Sequence, residues 1–275
     1  MQSKLPRLLV TGIWLYLMSC FSFAENYLSD YFTIGERNYK ANSLSVALDL
    51  SKIVSIIPGY TVYYSSYTTR SYFIDITIKT NEKSNLNFNF LSYPEVENYK
   101  SNLLGLSFQG EIKNTKLKIG YSNTKHQQNI YRPIREIWEW FELNQSALNL
   151  SIRQKVEKVN LSVAYTDYSY DKDLEKISLA YRYFRLRNIF LEDVNSLISG
   201  FSKNSIDFGI TYDLSKYFLT SFNYTVTNYE LDQTESNSYL LGLIFYPNDT
   251  LEILTEYNNF DNINYYTFGF GYYLK

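Results

Sequence analysis

Apolar and polar positions alternate with a period of two along most of the chain. Leu44, Val46, Leu48 and Leu50 alternate with Ser45, Ala47, Asp49 and Ser51. Tyr72, Ile74, Ile76 and Ile78 alternate with Phe73, Asp75, Thr77 and Lys79, and Leu86, Phe88 and Phe90 with Asn85, Asn87 and Asn89. The rhythm continues through Leu104–Leu106–Phe108 and Leu117–Ile119–Tyr121. It is cleaner beyond them, in Leu148–Leu150–Ile152, Val159–Leu161–Val163–Tyr165, Ile177–Leu179–Tyr181–Tyr183 and Ile206–Phe208–Ile210–Tyr212. It then runs through Phe218, Phe222, Tyr224 and Val226, residues 239–245 and residues 251–257. It ends at Tyr266, Phe268, Phe270, Tyr272 and Leu274, whose intervening positions include Thr267, Gly269 and Gly271. Such alternation predicts strands with two unlike faces. The segments are about ten residues long, the length of a tilted strand that crosses a bilayer. Turn chemistry separates them at Asn81-Glu82-Lys83-Ser84, Lys113-Asn114-Thr115 and Pro247-Asn248-Asp249.

Three stretches break the rhythm. In residues 130–145, Ile134, Ile137, Trp138 and Phe141 recur at helical spacing. This stretch predicts either a constriction folded into a lumen or a loop offering Trp138 and Trp140 as stacking surfaces. The plainer reading puts both tryptophans at a membrane interface. In residues 189–201, Phe190, Val194, Leu197, Ile198 and Phe201 share one helical face, which predicts a short amphipathic helix. Residues 26–40 read as an inner tether or another strand. The short connectors do not keep one parity: those at 113–115 and 155–158 oppose those at 213–216 and 247–249. One strand between Tyr170 and Asn204 is therefore missed or misplaced, or a long connector lies on the periplasmic side.

Composition narrows the choice of surroundings. Apolar residues make up 45% of the 275, which excludes general disorder. The mean hydropathy is only −0.28, so the grease is patterned rather than continuous. Aromatic content is 18%, with 29 Tyr, and tyrosine suits a boundary between grease and water. Its sites Tyr121, Tyr165, Tyr183, Tyr212 and Tyr257 fall toward strand ends, where an aromatic girdle would lie. The start reads as an export signal: Lys4 and Arg7, a mostly apolar run over residues 8–23, then Ser22-Phe23-Ala24. Cleavage after Ala24 makes residues 1–24 a signal peptide and residues 25–275 one mature domain. A lipoprotein-type cut before Cys20 and an uncleaved anchor are the alternatives. Removing Lys4 and Arg7 leaves 24 of the 26 basic residues against 28 acidic ones, a net of −4. No basic stripe points to nucleic acid.

A soluble sandwich would bury the apolar faces against each other. The export signal, the tyrosine placement and the small polar opposite faces favour lipid instead. Backbone groups in hydrocarbon must all be paired, which forces closure. The expected fold is all-β, a transmembrane antiparallel up-and-down β-barrel of about 14 strands, with 12 to 16 open. On these features the chain resembles bacterial outer-membrane β-barrel proteins of the porin-like kind. Its terminal strand, residues 266–274, is similar to the C-terminal assembly signal of that class. The resemblance implies outer-membrane lipid and the barrel-assembly machinery as partners. The class usually ends on an aromatic residue, whereas here Leu274-Lys275 follow.

Chemistry adds little. His126 is the one histidine. Outer-membrane lipases and deacylases resemble one another in a Ser two positions after a His, but position 128 here is Gln128. A solvated loop histidine is the expectation, with no catalytic residue, metal site or cofactor. The polar faces say more. Pore-lining candidates are Lys116, Lys118, Arg153, Lys176 and Arg182 on one arc, then Asp207, Asp213, Glu252 and Glu256 on the next. Glu252 and Glu256 read as a solvated wall. Opposed arcs would set up a transverse field favouring polar solutes, or would pair and tie the interior shut. The leading reading is a passive channel for small polar solutes. A sealed structural or surface-interaction barrel, binding a partner or a polysaccharide, is the alternative, and an enzyme is the least supported.

Overall fold

The computed structural model describes residues 26–36, 38–65, 68–96, 99–132, 137–172, 202–229 and 235–274. They form fourteen strands: β1 (Asn26–Gly35), β2 (Lys40–Asp49), β3 (Val54–Tyr64), β4 (Thr68–Asn81), β5 (Ser84–Val96), β6 (Tyr99–Ile112) and β7 (Thr115–Arg132), then β8 (Ile137–Val156), β9 (Val159–Tyr170), β10 (Ser202–Ser215), β11 (Phe218–Tyr229), β12 (Glu235–Asn248), β13 (Leu251–Phe260) and β14 (Ile263–Leu274). Each strand pairs antiparallel with its sequence neighbours. β1 pairs with β14 from Asn26↔Leu274 to Gly35↔Tyr265, which closes the barrel. Closure leaves no unpaired edge.

Strand alternation sorts side chains between two faces. Phe268, Phe270 and Tyr272 are exposed, as are Leu104, Leu106 and Phe108 on β6, Leu148, Leu150 and Ile152 on β8, and Ile206, Phe208 and Ile210 on β10. A soluble protein rarely exposes so continuous an apolar surface. The apolar belt ends in tyrosines whose hydroxyls reach polar neighbours on the same outer face. Tyr121 meets Ser146 at 3.0 Å, Tyr165 donates to Asp167 at 3.4 Å, Tyr224 to Asn237 at 2.7 Å and Tyr257 to Asn264 at 2.6 Å. Each ring sits in the belt and each hydroxyl points out of it, as a girdle requires. Among the described residues one charge interrupts the belt: Asp30, on the outer face between Phe270 and Leu44, accepts from Asn42 at 2.7 Å.

All connectors from even to odd strands are short, and they share one end of the barrel with the first residue of β1 and the last of β14. The conflict of parity in the sequence disappears because β9 pairs directly with β10, Asn204↔Asp167 to Tyr212↔Val159. No strand stands between them in the wall. The 177–183 strand and the 189–201 helix expected from the pattern lie outside the described residues, as do residues 1–24. The wall holds two strands beyond the clear alternations. Residues 26–35, read as tether or strand, are strand β1. β3 escaped notice because Pro58 and Gly59 interrupt its alternation. Pro58 has no N–H to give the ladder, and the β2–β3 pairing skips from Ser45↔Gly59 to Leu48↔Ile56.

The helical spacing in residues 130–145 is likewise overturned. β7 and β8 pair through Tyr131↔Trp138 and Arg132↔Ile137, so the stretch is the far end of a long hairpin. Trp140 pairs eight residues beyond Leu148, the partner of girdle residue Tyr121. That is about 26 Å further along the strand, well above the girdle. Lys100 lies 4.5 Å from the Trp140 ring centroid. With strands about 4.8 Å apart and tilted by roughly 40°, a fourteen-strand ring is roughly 28 Å across, backbone to backbone.

Candidate functional site: the inner wall

The inner face opposes the apolar belt, and most of it is short and polar. Its hydroxyls and amides pair rung by rung: Ser29 with Ser45 at 2.7 Å, Ser43 with Thr61 at 2.9 Å, Thr77 to Asn87 at 2.9 Å and Asn149 to Thr166 at 2.9 Å. Such pairs satisfy the wall locally.

The expected pore residues that fall among the described residues all lie on this face, but in different states. Glu111, Lys116 and Arg153 share one rung near the end holding the termini, and Lys116 pairs with Glu111 at 3.6 Å. Glu111 stands opposite Lys116 across a tight turn, a pairing legible from their spacing in the sequence. Lys118 sits one rung further in, between Gln109 and Ser151. Asp207 accepts from Thr225 at 2.6 Å. Asp213 lies near the β10–β11 turn beside Lys158 and Lys216. Lys176 and Arg182 lie outside the described residues.

The simple picture of one cationic arc followed by one acidic arc changes. Asp75 on β4 and Glu111 on β6 put acid on the other flank of the β7–β8 cations as well. In the closed ring, β7 and β8 stand opposite β14 and β1, next to β13 with Glu252 and Glu256.

Glu252 is not a solvated wall residue: it is 8% exposed. Tyr27 donates to its Oε1 at 3.2 Å and Tyr273 to its Oε2 at 3.3 Å. The rings of Tyr27 and Tyr273 pack at 4.6 Å, and the Tyr27 hydroxyl meets that of Tyr31 at 3.2 Å. The tyrosines can lie flat because their neighbours are glycines. A Cβ on Gly269 would collide with the Tyr31 ring, and one on Gly271 with Tyr27. Glu256 lies one rung inward of Leu254, opposite Thr267 and Gly242.

Toward the other end the inner face becomes aromatic. Tyr39, Ala41, Tyr63, Tyr93 and Tyr265 form a buried cluster with Leu91, Phe260 and Ile263 against it. Tyr39 and Tyr265 meet edge to face at 5.3 Å. Tyr99 and His126 extend the same arc, the tyrosine hydroxyl lying 2.8 Å from Nδ1. His126 is therefore not a solvated loop residue: it is on β7, faces inward, and is 5% exposed. The β7 strand runs past the point where the sequence suggested a loop. Ser101, its cross-strand partner, is 1% exposed. Among the described residues no group of His, Cys, Asp and Glu could hold a metal ion.

On β4–β9 the inner wall encloses a cavity of about 530 Å³. Asp75, Lys118, Asn87, Asn89, Asn149 and Ser107 are among its lining residues. Its floor is low because Asn89 lies across Gly105, where a Cβ would strike its amide.

No protein-family model and no curated protein sequence matches the chain. Solved structures do. Omp33, an outer-membrane protein of Acinetobacter baumannii, superposes with a TM-score of 0.55 at 5% identity, covering 91% of this chain and 98% of that one. OccAB1 of Acinetobacter baumannii gives 0.48 at 11%, covering 90% and 74%. The KdgM porin gives 0.46 at 9%, covering 90% and 99%. The first of these demonstrates a shared fold at an identity too low to carry an activity. The closed ring of fourteen antiparallel strands is the architecture of the outer-membrane β-barrel proteins.

Proposed function

We propose that the protein is an outer-membrane channel that passes small polar solutes passively, exported by the signal in residues 1–24 and folded by the barrel-assembly machinery through β14. One observation carries the reading. A ring of about 28 Å is wider than Ser, Thr, Asn and Gly side chains can fill from its two sides, and those residues dominate the wall from β4 to β11. The cations of β7–β8 and the acids of β10 and β13 then act across a wet space. They favour polar solutes over apolar ones. The tyrosine arc narrows the far mouth on the β14–β6 side.

A sealed barrel is the second reading. The Glu111–Lys116 pair, the clamped Glu252 and the buried tyrosine cluster favour it. Single-channel recording of the purified protein in a planar bilayer separates the two. Steady, ohmic steps support the channel. Silence after verified insertion supports the sealed barrel and overturns the channel. Catalysis has less to stand on, because His126 is buried against Tyr99 and its opposite Ser101 is buried as well.

A further inference from the structure

The cavity on β4–β9 holds two opposite charges that do not meet. Lys118 pairs with Gln109, Gln109 with Asn85, and Asn85 with Lys79, so Asp75 sits three strands away and four residues further along. That separation keeps the Asp75 carboxylate and the Lys118 ammonium apart while both line one space. Among the described residues neither has a hydrogen-bond or ion-pair partner. Other wall charges are engaged, although Arg153 and Lys79 resemble Lys118 in having no such partner among the described residues. Lys116 has Glu111, Asp207 has Thr225, and Glu252 has two tyrosines. A partly buried carboxylate without a partner carries a cost that folding alone would remove. Places where a fold leaves such a cost are expected to be functional or strained sites.

The ground between the two charges fits this role. Gly105, Ser107 and Gly120 keep it low, and the Asn87, Asn89 and Asn149 amides supply donors and acceptors along it. We propose that this cavity binds a small zwitterion, such as an amino acid, with its carboxylate on Lys118 and its ammonium group on Asp75. A solute with one charge satisfies one end and leaves the other unpaired. A neutral solute satisfies neither. This inference rests on the channel reading for its purpose, but the binding itself can be tested without it.

The probes are glycine, 4-aminobutanoate and 6-aminohexanoate, with butanoate, butylamine and butane-1,4-diol as matched controls. In planar bilayers at least one zwitterion should reduce the ion current at a concentration at least fivefold below that of butanoate or butylamine. Asp75→Asn and Lys118→Gln should each remove that advantage, measured against each variant's own unblocked current, while the barrel keeps the heat-modifiable gel migration of the folded state. Equal potency of zwitterions and single-charge controls on a conducting wild type overturns the zwitterion site and leaves the channel standing. If the wild type does not conduct, the same compounds are tested by the shift they cause in unfolding temperature in detergent. A shift for a zwitterion that Lys118→Gln abolishes then supports the site without the channel. No shift overturns both.

Discussion

Two stretches of the same inner wall treat charge in opposite ways. On β13–β14–β1, glycines let tyrosine rings lie flat, and those rings reach Glu252 and hold it. On β4–β7, short residues separate Asp75 from Lys118, and among the described residues neither takes a hydrogen bond or an ion pair. Both stretches follow the same inward–outward alternation. What differs is the reach of the cross-strand neighbours. A wall charge is available to a solute only where those neighbours are too short to engage it.

The comparison can be broken at four points. The largest effect is expected at Gly271→Val, which drives a branched side chain into the Tyr27 ring and opens the clamp. Overpacking of this kind costs about 1–3 kcal/mol, readable as a lower unfolding midpoint in detergent. An unchanged midpoint would mean that the tyrosines do not clamp.

Lys118→Glu should come next. Reversing an unpartnered charge on a wet wall changes the local interaction with a passing ion by on the order of 1 kcal/mol, roughly a fivefold change in the cation-to-anion permeability ratio. Reversal potentials in a salt gradient measure it. Glu252→Gln, within the clamp, should shift that ratio far less. Equal shifts from the two substitutions would erase the distinction between the walls.

Tyr27→Phe removes the hydroxyl that meets both Glu252 and Tyr31. The loss should be about 0.5–1.5 kcal/mol in stability, with a rise in cation preference as Glu252 is released. Denaturant titration paired with reversal potentials checks both halves.

The smallest effect is expected on the outer side of the clamp wall. Asp30→Leu restores the apolar belt beside Phe270 and should stabilise the barrel in lipid by roughly 0.5 kcal/mol. Folding equilibria in vesicles give the sign. Destabilisation would show that the contact with Asn42 outweighs the cost of a carboxylate in the belt.

Much of the fold was legible because its signal is local. Period-two alternation, segments of about ten residues and turn residues are set by neighbours in sequence. Misreadings arose where local signals overlap. Pro58 and Gly59 hid β3, and the Ile134, Ile137, Trp138 and Phe141 spacing mimicked a helix in what is the far end of the β7–β8 hairpin. The parity conflict came from counting a strand between β9 and β10, which pair directly with each other. The site was legible only as a set of inward charges. That Glu252 is buried, that His126 packs on Tyr99, and that Glu111 takes Lys116 depend on residues brought together by register.

By itself the sequence determined which side chains turn toward lipid and which turn inward, since alternation follows from the pleat of an extended backbone. Only the closed barrel decided which inward charges are engaged and which stay open. Tyr27 and Glu252 are 225 residues apart, and they meet because β1 and β13 flank the strand that closes the ring. Asp75 and Lys118 remain apart because the intervening strands fix a distance that their side chains do not span.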